Sequence, residues 1–125
     1  MNDSLNEFFQ EKLVRLDCEE FTKSYIISIF MKYRSALKDL SRDSITLKYA
    51  NAKYNHRFEE FQDLGDWIFF YHSFNPTHSF ADYYRNIGQI SYYRCYGLIN
   101  KQWKVFEEMA DKFRYLEKQT YILLK

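Results

Sequence analysis

Apolar residues recur along this chain at helical spacing, and in one stretch they stop alternating with polar ones altogether. From Leu64 to Phe74 the sequence reads Leu-Gly-Asp-Trp-Ile-Phe-Phe-Tyr-His-Ser-Phe. At ~100° per residue, Phe61, Gly65, Ile68, Phe69 and His72 fall on one face, and Trp67, Phe70, Tyr71 and Phe74 on the other. A helix that is apolar all round has to be surrounded, by its own fold or by a partner.

The same periodicity predicts the remaining elements. Ser4-Leu5-Asn6-Glu7 is a capping-box pattern opening a short helix with Leu5, Phe8, Phe9, Leu13 and Leu16 on one side. A second helix is expected over Glu19 to Leu40, with a stripe of Tyr25, Ile26, Ile29, Phe30, Tyr33, Ala36, Leu37 and Leu40. A polar break from Ser41 to Ser44 precedes a weaker helix carrying Ile45, Tyr49 and Ala52. The central helix runs from about Asn55 to Phe74 and stops at Asn75-Pro76, because a residue before proline is pushed out of helical geometry. Ser79 is a capping residue for the next helix, whose stripe reads Phe80, Tyr83, Tyr84, Ile87, Ile90, Ser91 and Arg94 up to a stop or kink at Gly97. The last helix starts near Asn100 and aligns Phe106, Met109, Ala110, Phe113, Leu116 and Leu124. The expectation is an all-α fold: one domain over residues 1–125, a compact bundle of five to six helices around a central aromatic-rich helix.

Composition agrees with helices and narrows the function classes. Three Gly and one Pro leave little turn chemistry for a many-stranded sheet, whereas aromatic residues make up 21% of the chain. A net charge of +1 gives no general attraction to nucleic acid or to an anionic membrane. The longest apolar runs, Tyr25 to Met31 and Trp67 to Tyr71, are far short of a membrane span. Cys18 and Cys95 form no C-x-x-C, and no signal peptide is recognised, so a cytoplasmic location with reduced thiols is expected.

Some of these residues carry a resemblance. The run from Phe58 through Phe74, then Asp82-Tyr83-Tyr84, Ile87-Gly88 and Ser91-Tyr92, then Phe106 to Ala110 and Phe113, resembles an uncharacterised bacterial all-helical family. Tyr25-Ile26-Ile27 and Phe30 resemble an upstream helix of the same family, so that the similarity covers about residues 20 to 117. Tyr71-His72-Ser73 departs from it, standing where relatives carry smaller residues. The resemblance implies helices and assigns no chemistry. A chain of this type is also similar to proteins carried on integron gene cassettes.

Candidate chemistry is sparse. The glycines at 65, 88 and 97 cannot build a dinucleotide fingerprint or a P-loop, and there is no H-E-x-x-H, E-x-x-H or G-x-S-x-G. His72 on the core-facing side of the central helix reads as a buried neutral histidine with both nitrogens bonded, ahead of a general base. His78 is a conceivable second metal ligand, but no third has recognisable spacing, so neither a metal nor any other cofactor is expected. Asp66, in an apolar segment, and Arg94, on an apolar stripe, are expected to meet and pin two helices in register, or to anchor an acidic ligand. Gly88, Ser91 and Cys95 make a shallow groove suited to close helix packing. Tyr92, Tyr93 and Tyr96 project away from the stripe and, with Trp67, Phe70 and Phe74, are assigned to an interface, with a two-fold homodimer expected. Arg34, Lys38 and Arg42 form a basic line that reads as a solvated face rather than a nucleic-acid surface.

Three functional readings follow. The first is a non-enzymatic interaction or accessory module that acts as a homodimer and docks another protein. The second is a small-ligand-binding protein with an aromatic pocket near Asp66, His72 and Arg94. The weakest is an enzyme with His72 as base.

Overall fold

The computed structural model describes residues 4–36 and 44–125. The expected stripe positions Leu37 and Leu40, the polar break at Ser41 and the basic positions Lys38 and Arg42 lie outside the described residues. Among those described there are seven α-helices and no strand: α1 (Ser4–Leu13), α2 (Glu20–Tyr33, continued by a short 3-10 turn, Arg34–Ala36), α3 (Ile45–Asn55), α4 (Phe58–Phe74), α5 (Ala81–Leu98), α6 (Lys104–Asp111) and α7 (Phe113–Leu124). The fold is therefore all-α, as the periodicity predicts, with more helices than the five or six expected.

The additional helix comes from a break at Lys112, where the expected last helix divides into α6 and α7. The apolar spacing runs through this point without interruption, so the pattern alone does not show it. Packing accounts for the break: α6 lies against α5 and α2, whereas α7 lies against α4 and α1. One straight helix cannot serve both sets of neighbours.

Local chemistry fixes the other ends. Ser44 caps α3, its hydroxyl accepting from the Leu47 amide at 3.1 Å, and α3 stops at His56 in the left-handed region (φ 52°). α4 stops at Asn75, before Pro76, as expected. Ser79 does not cap α5. The residue before the first helical turn is Phe80, and no side chain of its own closes that end.

α4 is the centre of the bundle, packed by α2, α3, α5 and α7. Its Trp67 and Phe70 are buried, and Phe74 is half-buried. The cover is α2: Phe30 meets Phe70 at 5.2 Å and Phe74 at 5.9 Å between ring centroids, and Tyr33 meets Trp67 at 5.4 Å. Tilted and edge-on pairs of this kind add about 0.5–1.5 kcal/mol each beyond area burial. The opposite face carries Phe69, set edge-on to Phe113 of α7 at 5.7 Å.

α5 meets this centre through small residues. A Cβ added at Gly65 would lie 2.8 Å from the Tyr92 ring, and one at Gly88 2.6 Å from the Phe113 ring. Each glycine receives an aromatic face where any other residue would hold it off. At Gly88 the close packing expected of the Gly88-Ser91-Cys95 groove is thus a ring-on-backbone contact.

Candidate functional site

Two polar clusters lie inside this aromatic bundle. The first surrounds Asp66, which is 4% exposed. Its Oδ1 accepts from the Tyr25 hydroxyl at 2.6 Å and from the Tyr92 hydroxyl at 2.7 Å, and Gln62 Nε2 donates to Tyr25 at 3.0 Å. Burial pushes the Asp66 carboxyl up to about 6, against the pull of the two tyrosine hydroxyls. Burial and the neighbouring carboxylate raise both tyrosines in turn.

The expected Asp66–Arg94 pair is not formed. Arg94 is exposed and lines a surface hollow of about 170 Å³ with Tyr93 and Leu98. The physical reason is the rotation of α5. Its core face is built from Ile87, Gly88, Ser91, Tyr92, Cys95 and Tyr96, and Ile90 and Arg94 turn outward. Large apolar residues suggested a different stripe, but small and hydroxyl-bearing ones are those that let α4 and α7 approach. The same rotation buries Tyr92 and Tyr96 within the chain's own core, leaving Tyr93 exposed. Of the six aromatics assigned to an interface, Trp67, Phe70, Tyr92 and Tyr96 are covered by the chain itself.

The second cluster is centred on His72, which is fully buried. Its Nδ1 lies 2.8 Å from Glu117 Oε2, and its Nε2 lies 2.7 Å from Nε2 of His78. Glu117 is only 2% exposed, and its other oxygen accepts from Arg85 Nε at 2.5 Å. Arg85 also donates to the Pro76 carbonyl at 2.6 Å and, more loosely, to Asp82 at 3.3 Å. The rings of Tyr71 and Tyr84 box the histidines, with Tyr84 stacked on His72 at 6.1 Å and set edge-on to His78 at 4.9 Å. His72 thus has both nitrogens bonded, as expected of a buried histidine.

Glu117, Arg85 and Tyr84 had no place in the sequence-derived site, although two of them leave a trace. Glu117 follows Phe113 at i+4 on the buried row of α7, a position where a carboxylate must find a partner. Arg85 lies between Ala81 and Gly88 on the buried side of α5.

A pocket of about 430 Å³ opens beside this cluster, within the range typical of small-molecule sites. The α4–α5 connection contributes Pro76 and Thr77, α5 contributes Arg85, and α7 contributes Arg114, Glu117, Lys118 and Tyr121. Arg114 is held by Asn86 at 2.8 Å and Asp82 at 3.3 Å, while Lys118 is exposed and forms no ion pair among the described residues. With Glu117 answered by Arg85, Arg114 and Lys118 give the mouth a positive character. Among the described residues no three His, Cys, Asp or Glu side chains are placed to hold a metal ion, and no helix is long and apolar enough to cross a membrane. Comparison with protein-family models, with curated proteins and with solved structures finds no match, so the site stands on its geometry alone.

Proposed function

We propose that this protein binds a small organic anion in the pocket between the α4–α5 connection and α7. The observation that carries this reading is the wall of that pocket. A buried carboxylate, Glu117, is held between His72 and Arg85 directly behind a cavity of ligand size, with the cations Arg114 and Lys118 at its opening. A rigid charged wall next to an apolar surface such as Pro76 and Tyr121 orients a ligand that has one charged and one hydrophobic end. Arg114 retains N–H donors beyond its two bonds, enough to meet a carboxylate or phosphate in forked geometry. The reading is one of binding rather than catalysis.

A thermal-shift series with benzoate and phenyl phosphate tests it. A probe at 100 times its dissociation constant adds about 2.7 kcal/mol, a rise of several degrees in Tm. The rise is expected to vanish in the Arg114→Ala/Lys118→Ala variant. No rise with either probe, or an equal rise in that variant, would overturn the assignment.

A second reading, the homodimeric accessory module, draws on a different surface. Phe21 and Trp103 are 48% and 57% exposed and share a hollow of about 350 Å³, bordered by Lys104 and, further round, by Glu107, Glu108 and Lys112. These charges pair within the chain, Lys104 with Glu107 at 3.5 Å and Lys112 with Glu108 at 3.1 Å, so a second copy meets an apolar centre with a largely neutralised border. Light scattering on the eluting protein gives twice the chain mass if this holds, and the monomer mass for a Trp103→Ser variant. A wild type that elutes at the monomer mass sinks it.

A further inference from the structure

The α4–α5 connection is tied down by a hydrogen-bonded chain in which every proton has one position. The Phe80 amide donates to His78 Nδ1 at 3.3 Å, so that nitrogen carries no proton. Neutral His78 therefore bears its proton on Nε2 and donates it to His72 Nε2, 2.7 Å away. His72 must then be protonated on Nδ1, which donates to Glu117 Oε2 at 2.8 Å. Arg85 holds the other oxygen of Glu117 and, through its remaining branch, the Pro76 carbonyl. Two neutral rings carry two ring protons, and the chain has two places for them.

A third proton has no such place. If His72 takes it, both its nitrogens donate, so His78 Nε2 has to accept and the proton of His78 moves to Nδ1. If His78 takes it, Nδ1 is protonated directly. In both cases His78 Nδ1 becomes a donor facing the Phe80 N–H, and the side-chain acceptor of that amide is lost. Alternatively, the two Nε2 protons oppose each other and the His72–His78 bond breaks. Each outcome loosens residues 75–80, which carry Pro76 and Thr77 at the pocket.

We propose that residues 75–80 form a latch over the pocket, closed while the His72–His78 pair is neutral and released by the uptake of one proton. The ligand reading above gives the latch its use, but its chemistry stands apart from any ligand. The groups facing the histidines are Tyr71 from α4, Asp82, Tyr84 and Arg85 from α5, and Glu117 from α7, with Arg114 and Lys118 further along the pocket. Burial lowers His78 below its ordinary value of 6.5, as do its electrostatic interactions with the His72 ring and with the Arg85 cation, with Glu117 pulling the other way. A depressed histidine favours the neutral, closed form. The closure is therefore present above pH 6.5 and lost as pH falls below it.

Long-range nitrogen–proton NMR of the imidazoles at pH 7.5 is the direct test. His72 is expected as the Nδ1–H tautomer and His78 as the Nε2–H tautomer, with exposed His56 as the reference. Between pH 7.5 and 5, the exchange protection of the Phe80 amide, corrected for its intrinsic rate, is expected to fall roughly tenfold, the effect of one lost hydrogen bond. The His56 amide, bonded to the Ala52 carbonyl at 2.9 Å, should keep its protection. His78→Phe should lose Phe80 protection already at pH 7.5; should that variant fail to fold, the wild-type tautomers still decide. Matching tautomers in His72 and His78, or Phe80 protection that does not change with pH, would overturn the latch. Absence of binding by both benzoate and phenyl phosphate overturns the ligand reading alone, because no measurement of the latch uses a ligand.

Discussion

Asp66 shows what a single buried carboxylate does to the protein around it. Burial raises its carboxyl from 3.8 to about 6, and the two phenols that donate to it offset only part of that rise. A raised acid contributes stability that is fully present below pH 3.8 and lost as pH rises through 6. Two pKa units correspond to on the order of 3 kcal/mol. Asp66→Asn keeps an acceptor for Tyr25 and Tyr92 and removes the charge. The stability of this variant relative to wild type is expected to be greater at pH 7.5 than at pH 4 by about that amount, read from urea unfolding at both pH values. An equal difference at the two pH values would mean that burial does not raise the Asp66 carboxyl. The need of Asp66 for a partner was legible in the sequence, because an aspartate between Gly65 and Trp67 cannot stay bare. The identity of the partner was not: a charge suggested the cation Arg94, whereas tyrosines 41 and 26 residues away in sequence supplied the bonds.

At the scale of elements, helix positions were readable and helix orientations less so. The end of α4 at Asn75 and the cap of α3 at Ser44 follow from local chemistry, which the sequence states directly. The core face of α5 does not, because it depends on what α4 and α7 present to it. Gly88 is the clearest example, with the Phe113 ring where a Cβ would be. Gly97, near the end of the same helix, has nothing within 4 Å of its missing Cβ. The two glycines should therefore respond in opposite ways. Gly88→Ala is expected to lose about 1–3 kcal/mol by overpacking, whereas Gly97→Ala gains up to ~1 kcal/mol of helix propensity. Denaturant titration of the two variants checks this pair, and a neutral Gly88→Ala would mean that Phe113 moves aside freely. The division of the last helix at Lys112 is another consequence of neighbours: the local pattern is unbroken, and only the positions of α5 and α4 require the turn.

For the whole molecule, the central question of the sequence was what covers the second apolar face of the Leu64–Phe74 helix. The answer is α2 of the same chain, through Phe30 and Tyr33, and a second copy is not needed there. Periodicity could count apolar faces but could not match them to one another. The same limit hid the site. His72 was visible as a polar residue on a core face, but Glu117 lies 45 residues away and Arg85 on a third helix, so only the assembled bundle brings them together. The arrangement of aromatics has one more consequence, for spectroscopy. Of the two indoles in the chain, Trp67 is sealed between Tyr33, Phe70 and Tyr71, and Trp103 lies open to water beside Phe21. The protein therefore emits through two channels. One is blue-shifted and shielded from collisional quenchers, and reports on the integrity of the core. The other is red-shifted and accessible, and reports on whatever settles against the Phe21–Trp103 surface. An occupant there dims one channel and leaves the other unchanged, a built-in optical record of which part of the molecule has been touched.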